Sequence, residues 1–411
     1  MEAAQNILLC CEQYPPSIGG VQEVMRQIAE RLAKMGHVIT VATSRHPNRP
    51  RDAVVNGVRV VSFDVSGNAV KGLAGDIKPY QDFLRVSDFD IILIKAAQQW
   101  TFDGCVDILD ELRARKTFIP CGFSALHHPD YASYYTAMPD WLRKFDALIF
   151  YSDTYQDIEF ARRHGLKNLH VIPNGVDERE FFAEDASNEG DRLGVSGDSL
   201  LLLSVGTLIV AKGHWEVVKA YRRASIERSS ELIINGNRPK VPVSRIILRS
   251  IRDAAKGYWP LSLTIQIANA IFSLTGEQKR IRLVDLPRHE LVSLYKGADL
   301  FLFASHLEYS PLVLFEAAAA GVPFISTDVG NAREIAGWTD GGIVITQQTD
   351  VSATGTTLAY AFVAAIERRC NELCGVRRSL SETQLRYTNA GLTWHHLAKR
   401  YWRVINGESL V

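Results

Sequence analysis

The chemistry-bearing residues that stand out first are two glutamates eight positions apart, Glu308 and Glu316, in the stretch EYSPLVLFEAAAAGVPFIST (308–327). Beyond Glu308 the run is apolar or small-residue, and Glu316 is the one ionisable side chain inside a segment built for burial. Ser310 reads as an N-cap, Pro311 as the first helical residue, Gly321 as the residue past the end and Pro323 as a block to continuation, which predicts a helix from about Pro311 to about Ala320. Because Pro311 has no N–H, the first free donors are those of Leu312 and Val313, at the positive end of the helix dipole. Such an end suits an anion, and the preceding loop sets Glu308 over it. At about 1.5 Å of rise per residue, Glu316 lies roughly 7–8 Å down the axis. A ligand whose phosphates met the helix start could therefore set one hydroxyl-rich ring at each carboxylate. The other reading of Glu316 is that it satisfies local backbone donors or an arginine, because buried acids are usually paired.

The elements that must hold these residues form two series. In the first, NILLCC (6–11), HVITVAT (37–43), VRVVSF (58–63), DIILIKA (90–96), KTFIP (116–120), DALIFYS (146–152) and LHVIP (169–173) read as strands, and VQEVMRQIAERLAKMG (21–36) reads as a helix closed by Gly36. Alternation of β-rich runs with helical patterns is the signature of a parallel sheet with helices on its faces. After VIPNGVDEREFF the stretch EDASNEGDRLGVSGD is rich in Gly, Ser and acids and reads as a linker. The second series is LLLSVG (201–206), ELIING (231–236), IRLVD (281–285), DLFLFAS (299–305), VPFIS (322–326) and GIVIT (342–346). At about 150 residues per domain, a chain of 411 residues divides into two large domains with a cleft between them. The long connection 237–280 stays unassigned: LSLTIQI alternates with period two, while Leu263, Ile267, Ile271 and Leu274 also fit one helix face. TWHHLAKRYWRVI (393–405) reads as an amphipathic helix.

Composition removes several classes. Lys plus Arg and Asp plus Glu both number 46, so no net charge points to nucleic acid. The basic run RHPNRPR (45–51) reads first as a solvated, proline-bearing loop, and second as a membrane-surface contact. The six cysteines form no disulfide framework: Cys10 and Cys11 read as small core residues, and Cys370 and Cys374 have no second Cys/His pair to complete a zinc site. This usage fits a reducing compartment. The N-terminus has no secretory pattern, and no window reaches the roughly 18 apolar residues of a spanning helix. The nearest, YWPLSLTIQIANAIFSL (258–274), reads as buried or interfacial.

Two further features bear on phosphate chemistry. Lys212 precedes Gly213 in GTLIVAKG, which misses the P-loop pattern because Ala211 stands where glycine is required and no Ser or Thr follows the lysine. Gly19 and Gly20 suit a strand-to-helix turn but do not make the dinucleotide fingerprint.

Taken together and in order, these pieces resemble the retaining glycosyltransferases of the family 4 type. The two glutamates with AGVPFISTDVGNAREI resemble that family's E-x7-E region. YPPSIGGVQEVMRQIAERLAKMGHVITVAT resembles its N-terminal glycine loop and first helix, VIPNGVDEREF its interdomain segment, and VGTLIVAKG its phosphate-binding strand and loop. The resemblance covers roughly residues 7–405. It implies an α/β fold of two Rossmann-like doubly wound domains facing a cleft (GT-B): an acceptor-side domain over 1–182, a nucleotide-sugar-binding domain over 183–390, and a C-terminal helix within 391–411 packing back toward the first. It also implies roles. Glu308 would hold the transferred sugar, Lys212 would neutralise the leaving diphosphate, Leu312 and Val313 would offer it backbone N–H groups, and Glu316 would bind the ribose. Thr207 would lie among the donor contacts, Asp285 and Leu286 beside the base, and Gly19 and Gly20 would let the backbone approach the donor.

The sequence departs from the family pattern at two points. The usual arginine near the start of the Lys212 loop is replaced at Thr207 or Leu208, with Arg238 or Arg333 as substitutes. The usual histidine after the strand at KTFIP is replaced at Cys121 and Gly122, with His127 and His128 following. The expectation is thus a hexosyltransferase acting without metal or other cofactor, on a nucleotide-sugar donor and a glycan or glycolipid acceptor, in cell-surface polysaccharide synthesis. Its expected place is the cytoplasm, with peripheral contact at the membrane inner face and no nucleic-acid partner. The alternatives are a sugar-nucleotide epimerase and a non-catalytic sugar-nucleotide or glycan-binding protein.

Overall fold

The strand-forming runs of the first series assemble because they are apolar on both sides, as strands of a parallel sheet covered on both faces must be. In the computed structural model, which describes residues 3–86, 88–183, 189–237, 252–346, 354–372 and 379–408, the chain divides into two compact units. One is Met1–Gly175 with Leu392–Val411, and the other is Val176–Gly391.

The first unit is built on β1 (Asn6–Cys10), β2 (Val38–Ser44), β3 (Asp52–Val55), β4 (Val58–Phe63), a side hairpin of β5 (Val65–Asn68) and β6 (Gly72–Gly75), then β7 (Ile91–Lys95), β8 (Arg115–Ile119), β9 (Ala147–Phe150) and β10 (Leu169–Val171). The main sheet runs β10-β9-β8-β7-β1-β2-β4-β3, parallel except for β3 against β4. Ile7 to Cys11 and Ile91 to Ile94 are almost fully buried, which places β1 and β7 at the centre of the core, and Cys10 and Cys11 are the core residues expected. The Trp394–Ile405 helix is capped by Thr393 and lies on this unit: Trp402 stacks on His37 at 3.9 Å, and Arg400 donates to the Val171 carbonyl at 2.7 Å.

The second unit carries β11 (Leu200–Val205), β12 (Ser230–Asn235), β13 (Lys279–Val284), β14 (Leu300–Phe303), β15 (Phe324–Thr327) and β16 (Gly342–Ile345) in the all-parallel order β13-β12-β11-β14-β15-β16. Its start falls earlier than the linker composition suggests, because Val176–Phe182 already packs here: Phe181 is fully buried and lies 6.0 Å from Tyr295. Part of the expected linker, 184–188, lies outside the described residues. The ambiguous segment resolves as a helix, Leu261–Thr275, closed by Gly276 in the left-handed conformation that favours glycine. Among the described residues no helix is long and apolar enough to cross a membrane.

Candidate functional site

In the second unit the loops at the carboxyl ends of β11 and β14 are pressed together. Gly213 has φ +69°, and a Cβ there would lie 1.8 Å from the Ala304 carbonyl oxygen, so a side chain would force the loops apart. The Ser305 hydroxyl donates to the Ala211 carbonyl at 2.9 Å, and the His306 N–H donates to the same oxygen at 2.9 Å. This closure brings together two residues 96 positions apart: Lys212 Nζ is 2.5 Å from Glu308 Oε1, which also lies 3.1 Å from Ser305 Oγ. The Glu308 side chain is 14% exposed and that of Lys212 30%, so the pair is half-shielded and still open to an anion that competes for the lysine. Behind the loop, Gly330 (φ +55°) lies so close to the Tyr309 carbonyl that a Cβ would sit 2.4 Å from it, which fixes the approach to the next helix.

That helix runs Leu312–Ala319, one residue later than the capping pattern suggests. Pro311 takes ψ 110°, an extended value, and so occupies the cap position itself, its carbonyl accepting from Leu314 at 3.1 Å; Ser310 stands outside the helix. Leu312 and Val313 are accordingly the first two helical residues, half-buried, with N–H groups that an α-helix does not use internally.

Glu316 is paired with an arginine, as buried acids usually are. Its Oε1 is 2.7 Å from Arg288 Nη1, and Arg288 also bonds Glu180 Oε2 at 2.7 and 3.0 Å while its guanidinium lies 5.5 Å from the Phe181 ring centroid. Burial works against the charge on Arg288, but Glu316 and Glu180 outweigh it and hold its pKa above the usual value. Arg288 was missed because nothing near it in sequence marks its partners. Beyond β13, Asp285 is exposed and Leu286 half-buried, and the Leu286 N–H is held by Asn235 Oδ1 at 2.8 Å, at the end of β12.

Three more features surround the Lys212 loop. Thr207 is half-buried, its carbonyl accepting from Ile209 at 2.7 Å. His214 is fully buried, with Nε2 3.2 Å from the Gly206 carbonyl and Nδ1 3.2 Å from Ser204 Oγ. A carbonyl only accepts, so Nε2 carries the proton and Nδ1 accepts from Ser204; burial lowers the ring's pKa to about 4. His306 Nε2 lies 3.4 Å from Glu216 Oε2, and the neighbouring carboxylate raises its pKa. Arg333 is engaged elsewhere, bonding Asp328 at 2.8–3.0 Å and Thr346 at 2.6 Å, and Arg238 lies outside the described residues.

In the first unit Gly20 opens the Gly20–Lys34 helix and Gly19 precedes it in extended backbone (φ 163°), so neither needs a left-handed conformation. The loop ahead of them is held by Arg49, which departs from the solvated reading of 45–51, whereas Arg45, Pro47, Asn48, Pro50 and Arg51 are exposed as that reading expects. Arg49 is 5% exposed and donates to the carbonyls of Tyr14 (3.2 Å), Pro15 and Ser44 (2.8 Å), tying the turn to the end of β2. Past β7 and β8, Ala96, Gln98, Cys121 and Phe123 all have positive φ, an unfavourable conformation for such side chains. The second loop is fixed by Asp157, whose carboxylate accepts from Gly122 (2.8 Å) and Ile158 (3.0 Å) and whose pKa burial raises to about 6. Lys95, missed in the sequence, is 1% exposed with Nζ 2.6 Å from Tyr151 Oη, and burial lowers its pKa. His127 and His128 are exposed; the His128 ring accepts from Asp130 N at 3.3 Å. Among the described residues no group of three or more His, Cys, Asp or Glu is arranged to hold a metal ion.

Two sequence profiles match this chain: Glycosyltransferase Family 4 over residues 18–180 and Glycosyl transferases group 1 over residues 273–361. It is 25% identical over 335 residues to N-acetyl-alpha-D-glucosaminyl L-malate synthase of Bacillus anthracis, covering 78% of each chain. It is similar in fold to sucrose-phosphate synthase from Thermosynechococcus elongatus (TM-score 0.73, 17% identity, 98% of each chain). It is also similar to the Anabaena protein HepE solved with UDP and glucose (TM-score 0.64, 13% identity, 98% of this chain and 99% of that one).

Proposed function

From the premise that this chain belongs to the family 4 type of glycosyltransferases, with the GT-B fold, we propose that it moves a hexosyl group, with retention of configuration, from a nucleotide-sugar donor to a hydroxyl of a glycan or glycolipid. The observation that carries the reading is the half-shielded Lys212–Glu308 pair beside the start of the Leu312–Ala319 helix. In this reading a donor diphosphate meets the N–H groups of Leu312 and Val313 and draws Lys212 from Glu308. The released carboxylate then accepts hydroxyls of the transferred sugar. As the anomeric C–O bond to the diphosphate breaks, negative charge grows on its oxygens where Lys212 and the helix dipole stabilise it, and the leaving oxygen takes the acceptor proton on the same face. Glu316, held by Arg288, is proposed to reach the ribose, with Asp285 and Leu286 beside the base and Thr207 along the diphosphate. The lysine and the helix end supply the positive charge, so no metal is required.

The names of similar proteins support this reading: one is an N-acetyl-alpha-D-glucosaminyl L-malate synthase, and HepE, similar in fold, was solved in complex with UDP and glucose. A glycolipid acceptor would give the chain a peripheral place at the membrane inner face and a role in surface polysaccharide synthesis. The test is a nucleotide-sugar panel read by thermal shift, then transfer assays with and without EDTA. Transfer lost in Glu308→Ala and Lys212→Ala but retained in EDTA supports the proposal. Binding without transfer across a broad acceptor panel replaces it with a non-catalytic binding protein, the reading favoured by the missing arginine at Thr207. Donor conversion without any acceptor replaces it with an epimerase.

A further inference from the structure

The Leu261–Thr275 helix is apolar on two opposite faces. Leu261, Ile265, Ala268 and Phe272 are buried in the core of the second unit, and Asn269 satisfies both backbone groups of Ile281 on the edge strand β13, at 2.9 Å each. The other face points outward. Leu263 (40% exposed), Ile267 (50%) and Leu274 (86%) recur at helical spacing, and Trp259 (61%), just ahead of the helix, continues the line. From Gly257 to Gly276 the chain has no Lys, Arg, Asp or Glu, and the rim of the stripe is Ser262, Gln266 and Ser273. An uncharged, exposed apolar stripe of this length marks an interaction surface rather than ordinary solvated helix.

The charges at its ends select the occupant. Arg252 and Lys256 on one side and Arg280 on the other are exposed, whereas Glu277 is tied to Lys279 at 2.7 Å. An apolar stripe with an aromatic at one end and cations at both is complementary to an anionic bilayer, where the stripe enters the acyl boundary and the cations meet headgroups. A second copy docked face to face would oppose cations to cations. At about 22 Å for fifteen residues the helix is too short to span, so it would lie in the interface plane. We propose that this face of the Leu261–Thr275 helix docks the chain on an anionic lipid surface. Its purpose rests on the glycolipid-acceptor reading above, while its geometry does not.

The experiment is co-sedimentation of the full chain with phosphatidylglycerol–phosphatidylcholine vesicles and with phosphatidylcholine vesicles. Wild type is compared with Leu263→Gln/Ile267→Gln/Leu274→Gln and, as a milder change at the most exposed position, Leu274→Gln alone. The expected result is preferential pelleting with the anionic vesicles, reduced roughly tenfold or more in the triple variant and partly in the single one, with UDP-induced thermal shift unchanged in both. Absence of pelleting by wild type, or equal pelleting of wild type and both variants, overturns the proposal. So does a wild-type dimer in light scattering that the variants lose, which assigns the face to a second copy. The UDP shift reports on the donor site separately, so its failure counts against the glycosyltransferase reading and not against the docking face.

Discussion

The two units handle charge in different ways. At the strand ends of the second unit, charge is met by charge at Lys212 with Glu308 and at Arg288 with Glu316 and Glu180, while the buried His214 alone of the groups described there is held by a hydroxyl and a carbonyl. At the strand ends of the first, buried ionisable groups are met by neutral dipoles: Arg49 by carbonyls, Asp157 by backbone N–H groups, Lys95 by a tyrosine. Ion pairs that are partly exposed are weak and exchangeable, since water and other ions compete for each partner. Dipole-held groups are fixed by backbone geometry and shift their pKa instead. The second arrangement suits a scaffold that holds strained loops, and the first suits a site where an anionic ligand replaces one partner of a pair.

The largest test of this contrast removes the exchangeable cation. Lys212→Ala is expected to lower kcat for sugar transfer by roughly 100- to 1000-fold, the usual effect of deleting one group that stabilises developing charge, with little change in the thermal midpoint. A drop of less than tenfold, or a large loss of stability, would make Lys212 part of the scaffold and erase the distinction between the units.

Next in size is a pair of opposite pH responses. Asp157 is raised from 3.8 to about 6, so the fold favours its protonated form; its contribution is greatest below pH 3.8 and is lost as pH rises through 6. His214 is lowered from 6.5 to about 4, so the fold favours the neutral ring; its contribution is full above pH 6.5 and is lost as pH falls through 4. At 1.36 kcal/mol per unit, each window spans about 3 kcal/mol. Hydrogen exchange, corrected for intrinsic rates, should show β8 and the Gly122 loop gaining protection between pH 7 and 5 while β11 and the Gly206 loop lose it. Asp157→Asn should flatten the first response and His214→Asn the second; responses of the same sign in both units would refute the assignment.

What the sequence made legible follows from the range of the interactions involved. The central strands announce themselves as continuous apolar runs because a parallel sheet buries both faces. The hairpin β5–β6 and edge strand β3 have no such run: VSGN and GLAG are half or more glycine or polar, and DAVV is not fully buried at any position. In the Leu261–Thr275 helix the visible periodic set, Leu263, Ile267, Ile271 and Leu274, proved to be the outward face, and the core uses Leu261, Ile265, Ala268 and Phe272 instead. Periodicity identified a stripe but could not say which of two stripes meets the core. Within the candidate site, local signals placed the helix start, since caps, prolines and glycines act over a few residues, whereas Lys212 was singled out through the family resemblance. The Lys212–Glu308 contact spans 96 residues and the Arg288–Glu180 contact 108, and such pairings depend on strand order, which no short window contains.

A smaller effect is expected at Arg288. Its side chain is 41% exposed, so screening limits the pair with Glu316 to about 1 kcal/mol. Arg288→Met should raise the donor KM by roughly threefold to tenfold with kcat nearly unchanged, and Glu316→Gln should do the same. The double variant should be no worse than either single one if the arginine acts only by orienting the carboxylate. Additive losses in that cycle would mean that Arg288 meets the donor directly.

The smallest expected effect lies in the first unit. Lys95→Met keeps the buried aliphatic stem and removes an amine whose pKa burial already pushes down. If Tyr151 is all that compensates that amine, the lost hydrogen bond and the relieved desolvation should nearly cancel, leaving the denaturant midpoint within about 1 kcal/mol of wild type across neutral pH. The contrast with Lys212 is then complete, because one lysine matters for its charge and the other for its shape. A loss of several kcal/mol, growing as pH falls, would instead reveal a charged buried lysine whose counter-ion lies in the first unit, and the description of that unit as dipole-held would have to be abandoned.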